Sequence, residues 1–269
     1  MLRITGSPPY HSFEDKWDDW PRQAKRSVRK AIGLPASSDV AIIANVLKAV
    51  ADVAERCLDS PISALVSFPA LPGLYQEDIS DAATYIGLRQ IGTDTQATNP
   101  HEILAAYAGN GLGLCKSYEV CEKCREEGKH LPERHTLLVE YTETALLIHC
   151  SSIREAIELS WPHVKLKASF GLGSAQSPDE RDLRDFVLQL LHQQYFKPAP
   201  DGLPDSITVM VTGSPESIGD GKMRRATNVA IEALGTKADI LDSNPGFVAA
   251  RGAADLAWRA LSAENRMEL

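Results

Sequence analysis

The sequence predicts a mixed α/β protein, and three observations carry that prediction. Short continuous apolar runs, Ala64–Phe68 and Ile207–Val211, alternate with longer stretches whose apolar residues recur every three or four positions. The central stretch His135–Cys150, HTLLVEYTETALLIHC, has apolar runs at Thr136–Val139 and Ala145–Ile148 around a polar Glu140-Tyr141-Thr142-Glu143-Thr144, the pattern of a β-hairpin with a polar turn. The order strand, helix, strand, helix from Ala64 to Gly109 implies parallel crossovers.

In chain order, residues 1–20 hold Pro8-Pro9 and two tryptophans, Trp17 and Trp20, among acids, and read as an irregular arm anchored by aromatic side chains. Pro21–Ile32 reads as a short helix ended by Gly33, with the basic run Arg22–Lys30 as its solvated side. Ser38 or Asp39 is placed to cap a long helix that buries Val40, Ile43, Leu47, Val50, Ala54 and Cys57. Pro69 closes the strand Ala64–Phe68; a helix over Gln76–Ile86 stops at Gly87, and a strand covers Leu88–Ile91. Pro100 opens a helix to Gly109.

Beyond the hairpin, Val164, Leu166, Ala168 and Phe170 alternate with polar residues, as a strand with one wet face does. Ser177-Pro178-Asp179-Glu180 reads as a helix start with Ser177 as cap, and that helix turns Leu183, Phe186, Val187, Leu190 and Leu191 inward. Ile207–Val211 runs into Thr212-Gly213-Ser214 and a helix around Lys222–Leu234, a geometry that brings backbone N–H groups to a ligand. Asn244-Pro245 opens a last helix over Gly246–Leu261, rich in small residues that allow close packing.

Composition narrows the function. The chain has 269 residues, 43% of them hydrophobic and 24% charged, ordinary for a globular protein. A formal net charge of -8 disfavours nucleic acid, no apolar run is long enough to span a membrane, and the start lacks a signal-peptide pattern, so a cytoplasmic protein is the expectation. Five cysteines are an odd number for a disulfide framework, and they are expected reduced. Cys115, Cys121 and Cys124, followed by His130 and His135, are soft donors for a zinc site, but a Gly and a Pro separate the histidines; free thiols in a helical connection are the preferred reading, with no metal.

With these residues in view, the chain resembles the nucleotide-binding domain of the Hsp70 chaperones, in the actin-like ATPase superfamily. ALVSFPA, a loop and EDISDAATYIGL are similar to the family's strand, Val-Pro-Ala and helix. Asn99-Pro100 with AAYAG resembles its Glu-Pro and Ala-Tyr-Gly; VMVTGS resembles the strand and Gly-Gly-Ser of the adenosine loop; Asn244-Pro245 with VAARGAADLA resembles its Asn-Pro and closing helix. These matches span Ala64–Leu261 in the family's order, and the shortened Hsp70-like proteins of filamentous fungi look most alike. The resemblance implies a two-lobed actin-like α/β fold with RNase H-like lobes, truncated and with reduced outer subdomains. Its expected divisions are an arm at 1–20, a first lobe at 21–131, a second at 132–245, and a C-terminal helix at 246–269 packing back on the first lobe.

The departures shape the functional expectation. The family's Asp-x-Gly-Thr-Thr phosphate loop has no counterpart in residues 1–60, and EYTET stands where its second, glycine-rich phosphate loop belongs. Side chains there block the approach of backbone N–H groups to phosphate, and Glu143 adds like-charge repulsion. Asn99 replaces the Glu of Glu-Pro that helps hold hydrated magnesium, and Glu216 replaces the adenine-facing Arg. The expectation is therefore a degenerate Hsp70-like protein without an ATPase cycle, its interlobe cleft binding a small organic molecule and transforming it by cofactor-free acid/base chemistry of isomerase or cyclase type. Glu140, Tyr141 and Glu143 are the candidate catalytic residues, and Asn99, His101, Thr142, Thr212, Gly213, Ser214 and Asn244 the candidate ligand contacts. The alternatives are a non-catalytic pseudo-ATPase that docks a protein partner, and residual nucleotide binding through Thr212-Gly213-Ser214 and Asn244.

Overall fold

The structure, a computed structural model, describes residues 16–71, 73–91, 99–157, 163–167, 170–173, 178–195 and 203–267, and is mixed α/β. It divides into two compact units, Met1–Asn99 and Pro100–Leu269. The expected boundary at 131 lies inside the second unit.

In the first unit, α1 (Lys16–Ala31) begins five residues before the expected start and carries Pro21 within it; Trp20 lies on it and is exposed. The rest of the expected arm, residues 1–15, lies outside the described residues. α2 (Ser38–Leu58) is capped by Ser37, whose hydroxyl accepts from the Val40 N–H, one residue earlier than expected. Its buried side is narrower than its apolar pattern suggested: Val40 and Ala44 pack with Ala36 and Ala82, whereas Val50 and Cys57 are exposed.

The strands of this unit are short. β1 (Ser63–Ala64) pairs in parallel with β2 (Arg89–Gln90) on either side of α3 (Gln76–Tyr85). The crossover is present, but the expected run to Phe68 is not a paired strand. The buried Asn99 is the reason on one side: its Oδ1 accepts from the Val66 N–H at 3.1 Å and its amide donates to Gln90 Oε1 at 3.0 Å, so a side chain takes the place of ladder bonds.

Arg22 and Arg26 overturn the solvated reading of the basic run. Arg26 is buried on α1 and pairs with the buried Asp78 and with Asp81 on α3, while Arg22 pairs with Asp19 and Glu77. Asp78 also accepts from the Tyr75 N–H, so one carboxylate both starts α3 and holds α1.

The second unit is organised by a five-stranded sheet in the order β5-β4-β3-β6-β7. Its strands are β3 (Arg134–Tyr141), β4 (Leu146–Ile153), β5 (His163–Lys167), β6 (Ser206–Gly213) and β7 (Lys237–Leu241). β3, β4 and β5 form an antiparallel meander; β6 lies parallel to β3, and β7 parallel to β6. The expected hairpin is thus the centre of the sheet, with Tyr141 opposite Leu146, and β7 is a strand that sequence reading did not find.

One sheet face, carrying Leu137, Val139, Tyr141, Leu146, Ile148, Cys150, Ile207, Val209 and Val211, forms the core with α6 (Glu180–Tyr195) and α8 (Lys222–Glu232). α6 starts on a reciprocal cap between Asp179 and Asp182; Ser177, the expected cap, lies outside the described residues. Between β6 and α8 the short α7 (Pro215–Ile218) is capped by Ser214.

α4 (Glu102–Gly109) serves the opposite face, its Tyr107 hydroxyl donating to the Ile153 carbonyl on β4. α9 (Val248–Met267) packs along α4. A Cβ on Gly252 would stand 1.8 Å from the Ala105 carbonyl oxygen, and one on Gly109 2.0 Å from that of Val248, so the helices meet backbone to backbone. The last helix therefore packs on the Pro100–Gly109 segment, within the compact unit of the sheet. α5 (Cys121–Lys129) completes the unit. Cys115 and Cys124 are joined by a disulfide, in place of the free thiols expected, while Cys121 remains a free, exposed thiol. Among the described residues, no helix is long and apolar enough to cross a membrane.

Candidate active site

Alternation along β3 sends Leu137, Val139 and Tyr141 to the core face and Thr136, Leu138 and Glu140 to the α4 face. Register then sets the neighbours of Glu140: Thr212 on β6 and Leu147 on β4. Glu102 enters the same place from the first turn of α4. Its carboxyl lies against the Glu140 carboxyl and beside the buried Thr212 side chain. Both glutamates are half-buried.

Two carboxyls can share a hydrogen bond only if one keeps its proton. Burial is the larger cause and pushes both upward; the charge of Glu102 adds to it at Glu140, which rises to about 8, while the nearby Thr212 and Glu140 side chains partly offset the rise at Glu102. At neutral pH Glu140 therefore keeps its proton, and a carboxyl pair holding one proton can donate to one atom and accept from another. Next to Glu102, His101 is the cap residue of α4; its ring meets that of the buried His149 edge-on, with centroids 6.4 Å apart, and burial lowers its pKa and favours the neutral imidazole.

The structure brings together only some of the expected site. Glu140 and Thr212 are direct neighbours. Tyr141 is 1% exposed and faces the apolar core, because consecutive strand residues point to opposite faces; it cannot trade protons with Glu140. Glu143 is exposed at the turn, and its carbonyl accepts from the Gly173 N–H at 2.8 Å. Thr142 closes the turn: its hydroxyl accepts from the N–H groups of Thr144 and Ala145 at 3.3 and 3.1 Å. That bonding explains how the hairpin turns without glycine.

Gly213 has φ +137, and a Cβ there would stand 1.9 Å from the Tyr141 carbonyl oxygen, so its role is close strand pairing. The Ser214 hydroxyl oxygen accepts from the Ser217 N–H. Asn244, with φ 57, has its carbonyl accepting from the N–H groups of Phe247 and Val248 at the entry to α9. Asn99 belongs to the first unit and makes the bonds described above.

Glu102 is the residue that sequence reading missed. A Glu in a first helical turn is the ordinary answer to the helix dipole, and the adjoining His101 drew the attention; only the pairing of β3 with β6 reveals what Glu102 faces. His149 is buried beside His101. A hollow of about 450 Å³ lies away from the carboxyl pair, lined by Leu114, Lys116, Glu126, Glu127, His130 and Leu131. No cluster of three or more His, Cys, Asp or Glu side chains arranged to hold a metal occurs among the described residues. The sequence matches no protein-family model and no curated protein.

Proposed function

We propose that this chain is a degenerate Hsp70-like protein that uses a proton-sharing carboxyl pair, Glu102 and Glu140, for cofactor-free acid/base chemistry on a small organic molecule, of isomerisation or cyclisation type. The observation that carries the reading is the contact between two half-buried carboxyls from separate elements, backed by the Thr212 hydroxyl. The actin-like fold rests on the resemblance. It is supported by the order of the second unit, a three-stranded meander followed by two parallel strands reached through helices, as expected of an RNase H-like lobe. Loss of phosphate binding is supported by Thr142, whose hydroxyl occupies the turn N–H groups that a phosphate would need.

The test is proton exchange. Incubating the protein in D₂O with a panel of enolisable ketones and lactones, read by NMR, should show deuterium entering at the carbon next to the carbonyl. Glu102→Gln and Glu140→Gln should each remove that exchange. Exchange unchanged in both variants, or a carboxyl infrared spectrum showing both glutamates ionised at neutral pH, would overturn the reading.

A second reading, a non-catalytic interaction module, is favoured by α2. Ile42, Val46, Val50 and Val53 form an apolar stripe, each at least 50% exposed. Lys48 and Asp52 lie on the other side of α2 and pair with each other, which leaves the stripe wholly apolar; the partner that matches it is the same stripe of a second copy, which commits this reading to self-association. Sedimentation equilibrium should then give a concentration-dependent mass that Val50→Lys abolishes.

A further inference from the structure

We propose that Cys115, Cys121 and Cys124 form a thiol–disulfide exchange site, in which the exposed Cys121 thiol and Cys115 compete for one sulfur, that of Cys124. The structure holds one of the two pairings, Cys115–Cys124, nine residues apart in sequence with Cα atoms 5.2 Å apart. The geometry of α5 supplies the other. Cys121 is its first residue and Cys124 lies three further on the same helix. Three residues of an α-helix separate Cα atoms by about 5 Å, within the span a disulfide bridges. Cys121 is exposed, Cys124 half-buried and Cys115 buried. An incoming thiol therefore meets Cys121 first, the order of access that an exchanging Cys-x-x-C site needs.

The step is balanced within the chain. The Cys121 thiolate attacks Sγ of Cys124; the Cys121–Cys124 bond forms as the Cys115–Cys124 bond breaks, and the electron pair leaves on the Cys115 sulfur. Cys115 takes up a proton equivalent to the one Cys121 released. One thiol and one disulfide stand on each side, and no oxidant or reductant is consumed.

The surroundings keep the three sulfurs together when the bond moves. The Glu127 carboxylate on α5 accepts from the N–H groups of Lys116 and Ser117 at 2.6 and 3.2 Å and from the Ser117 hydroxyl. Arg259 on α9 donates to the Cys115 carbonyl at 2.6 Å, and its guanidinium lies 4.7 Å from the Tyr118 ring centre. The loop is tied to the helix independently of sulfur, so the opened thiols remain at high effective concentration. Exchange also changes a neighbour. Leu114 and Lys116 flank Cys115 on one wall of the hollow of about 450 Å³, and Glu126 and Glu127 follow Cys124 on another. The structure's pairing adds a covalent tie between those walls, beside the bonds of Glu127 to Lys116 and Ser117, and the alternative pairing removes that tie.

The test uses the full chain. Samples held without added reductant, then acid-quenched, alkylated and peptide-mapped, should show Cys115 becoming alkylated with time as the Cys121–Cys124 pair accumulates. Cys121→Ser should abolish Cys115 labelling. In Cys115→Ser, equilibrated in a glutathione redox buffer, alkylation should be lost at both Cys121 and Cys124, with a far-ultraviolet dichroism spectrum like that of the unaltered protein. Cys115 labelling absent from the unaltered chain, or equal in Cys121→Ser, would overturn the proposal. Because Cys121 is an exposed thiol, that variant keeps the test open if Cys115→Ser fails to fold.

Discussion

Glu140 and Tyr141 adjoin in sequence and face opposite sides of a sheet, and that single geometric fact redraws the candidate site. The partner of Glu140 is Glu102, and the pH dependence of folding reads their contact. The folded-state pKa of Glu140 is raised to about 8, above its ordinary carboxyl value, by burial first and then by Glu102. A group raised on folding contributes stability that is complete below its unfolded pKa and is lost as pH rises through the folded one. Melting temperature should therefore fall as pH goes from about 5 to about 9, and Glu140→Gln should flatten that fall. A differential scanning calorimetry series over pH checks it; a slope identical in the variant would show that the pair does not share a proton. The candidate positions were legible in part. Glu140 and Thr212 stand out as polar residues inside apolar strands, whereas the roles of Thr142 and Glu102 depend on which backbone N–H and which carboxyl come to face them.

Among the elements, α1 and α3 show how a charge pattern is misread. Arg22–Lys30 has the composition of a wet helix side, yet Arg26 is 3% exposed and lies between Asp78 and Asp81. Removing one partner of such a buried pair leaves an uncompensated charge, so Arg26→Ala should cost about 3–5 kcal/mol in urea denaturation. The double variant Arg26→Met with Asp78→Leu should recover much of that loss, since apolar packing can replace a buried ion pair. The α4 and α9 pair is governed by glycine. A Cβ on Gly252 meets the Ala105 carbonyl oxygen at 1.8 Å, so Gly252→Val should force the helices apart and destabilise by roughly 1–3 kcal/mol or more, read by thermal melting. Pro100 and Asn244-Pro245, as helix starts, located both helices; their closeness shows only in the abundance of small residues in α9, which says that close packing is possible but not against what.

At the scale of the whole molecule, two compact units divide at Asn99 and Pro100, and the second carries the sheet, the carboxyl pair and the three cysteines. Calorimetric titration with Mg-ATP, beside a known ATP-binding protein as control, should give no heat, because the hairpin turn uses the N–H groups of Thr144 and Ala145 on its own Thr142 hydroxyl. Heat at micromolar strength would return the problem to nucleotide binding. The sequence by itself determined the mixed α/β class, the central hairpin, the apolar face of α6 and the absence of a glycine-rich turn, because hydrophobic period and turn chemistry act over a few neighbouring residues. Tertiary structure alone decided the β5-β4-β3-β6-β7 order, the short ladder of β1 and β2, the Cys115–Cys124 bond and the meeting of Glu102, Glu140 and Thr212. Those features join segments far apart in the chain, and which of many chemically acceptable partners each side chain receives is fixed by strand register and helix packing, not by local pattern.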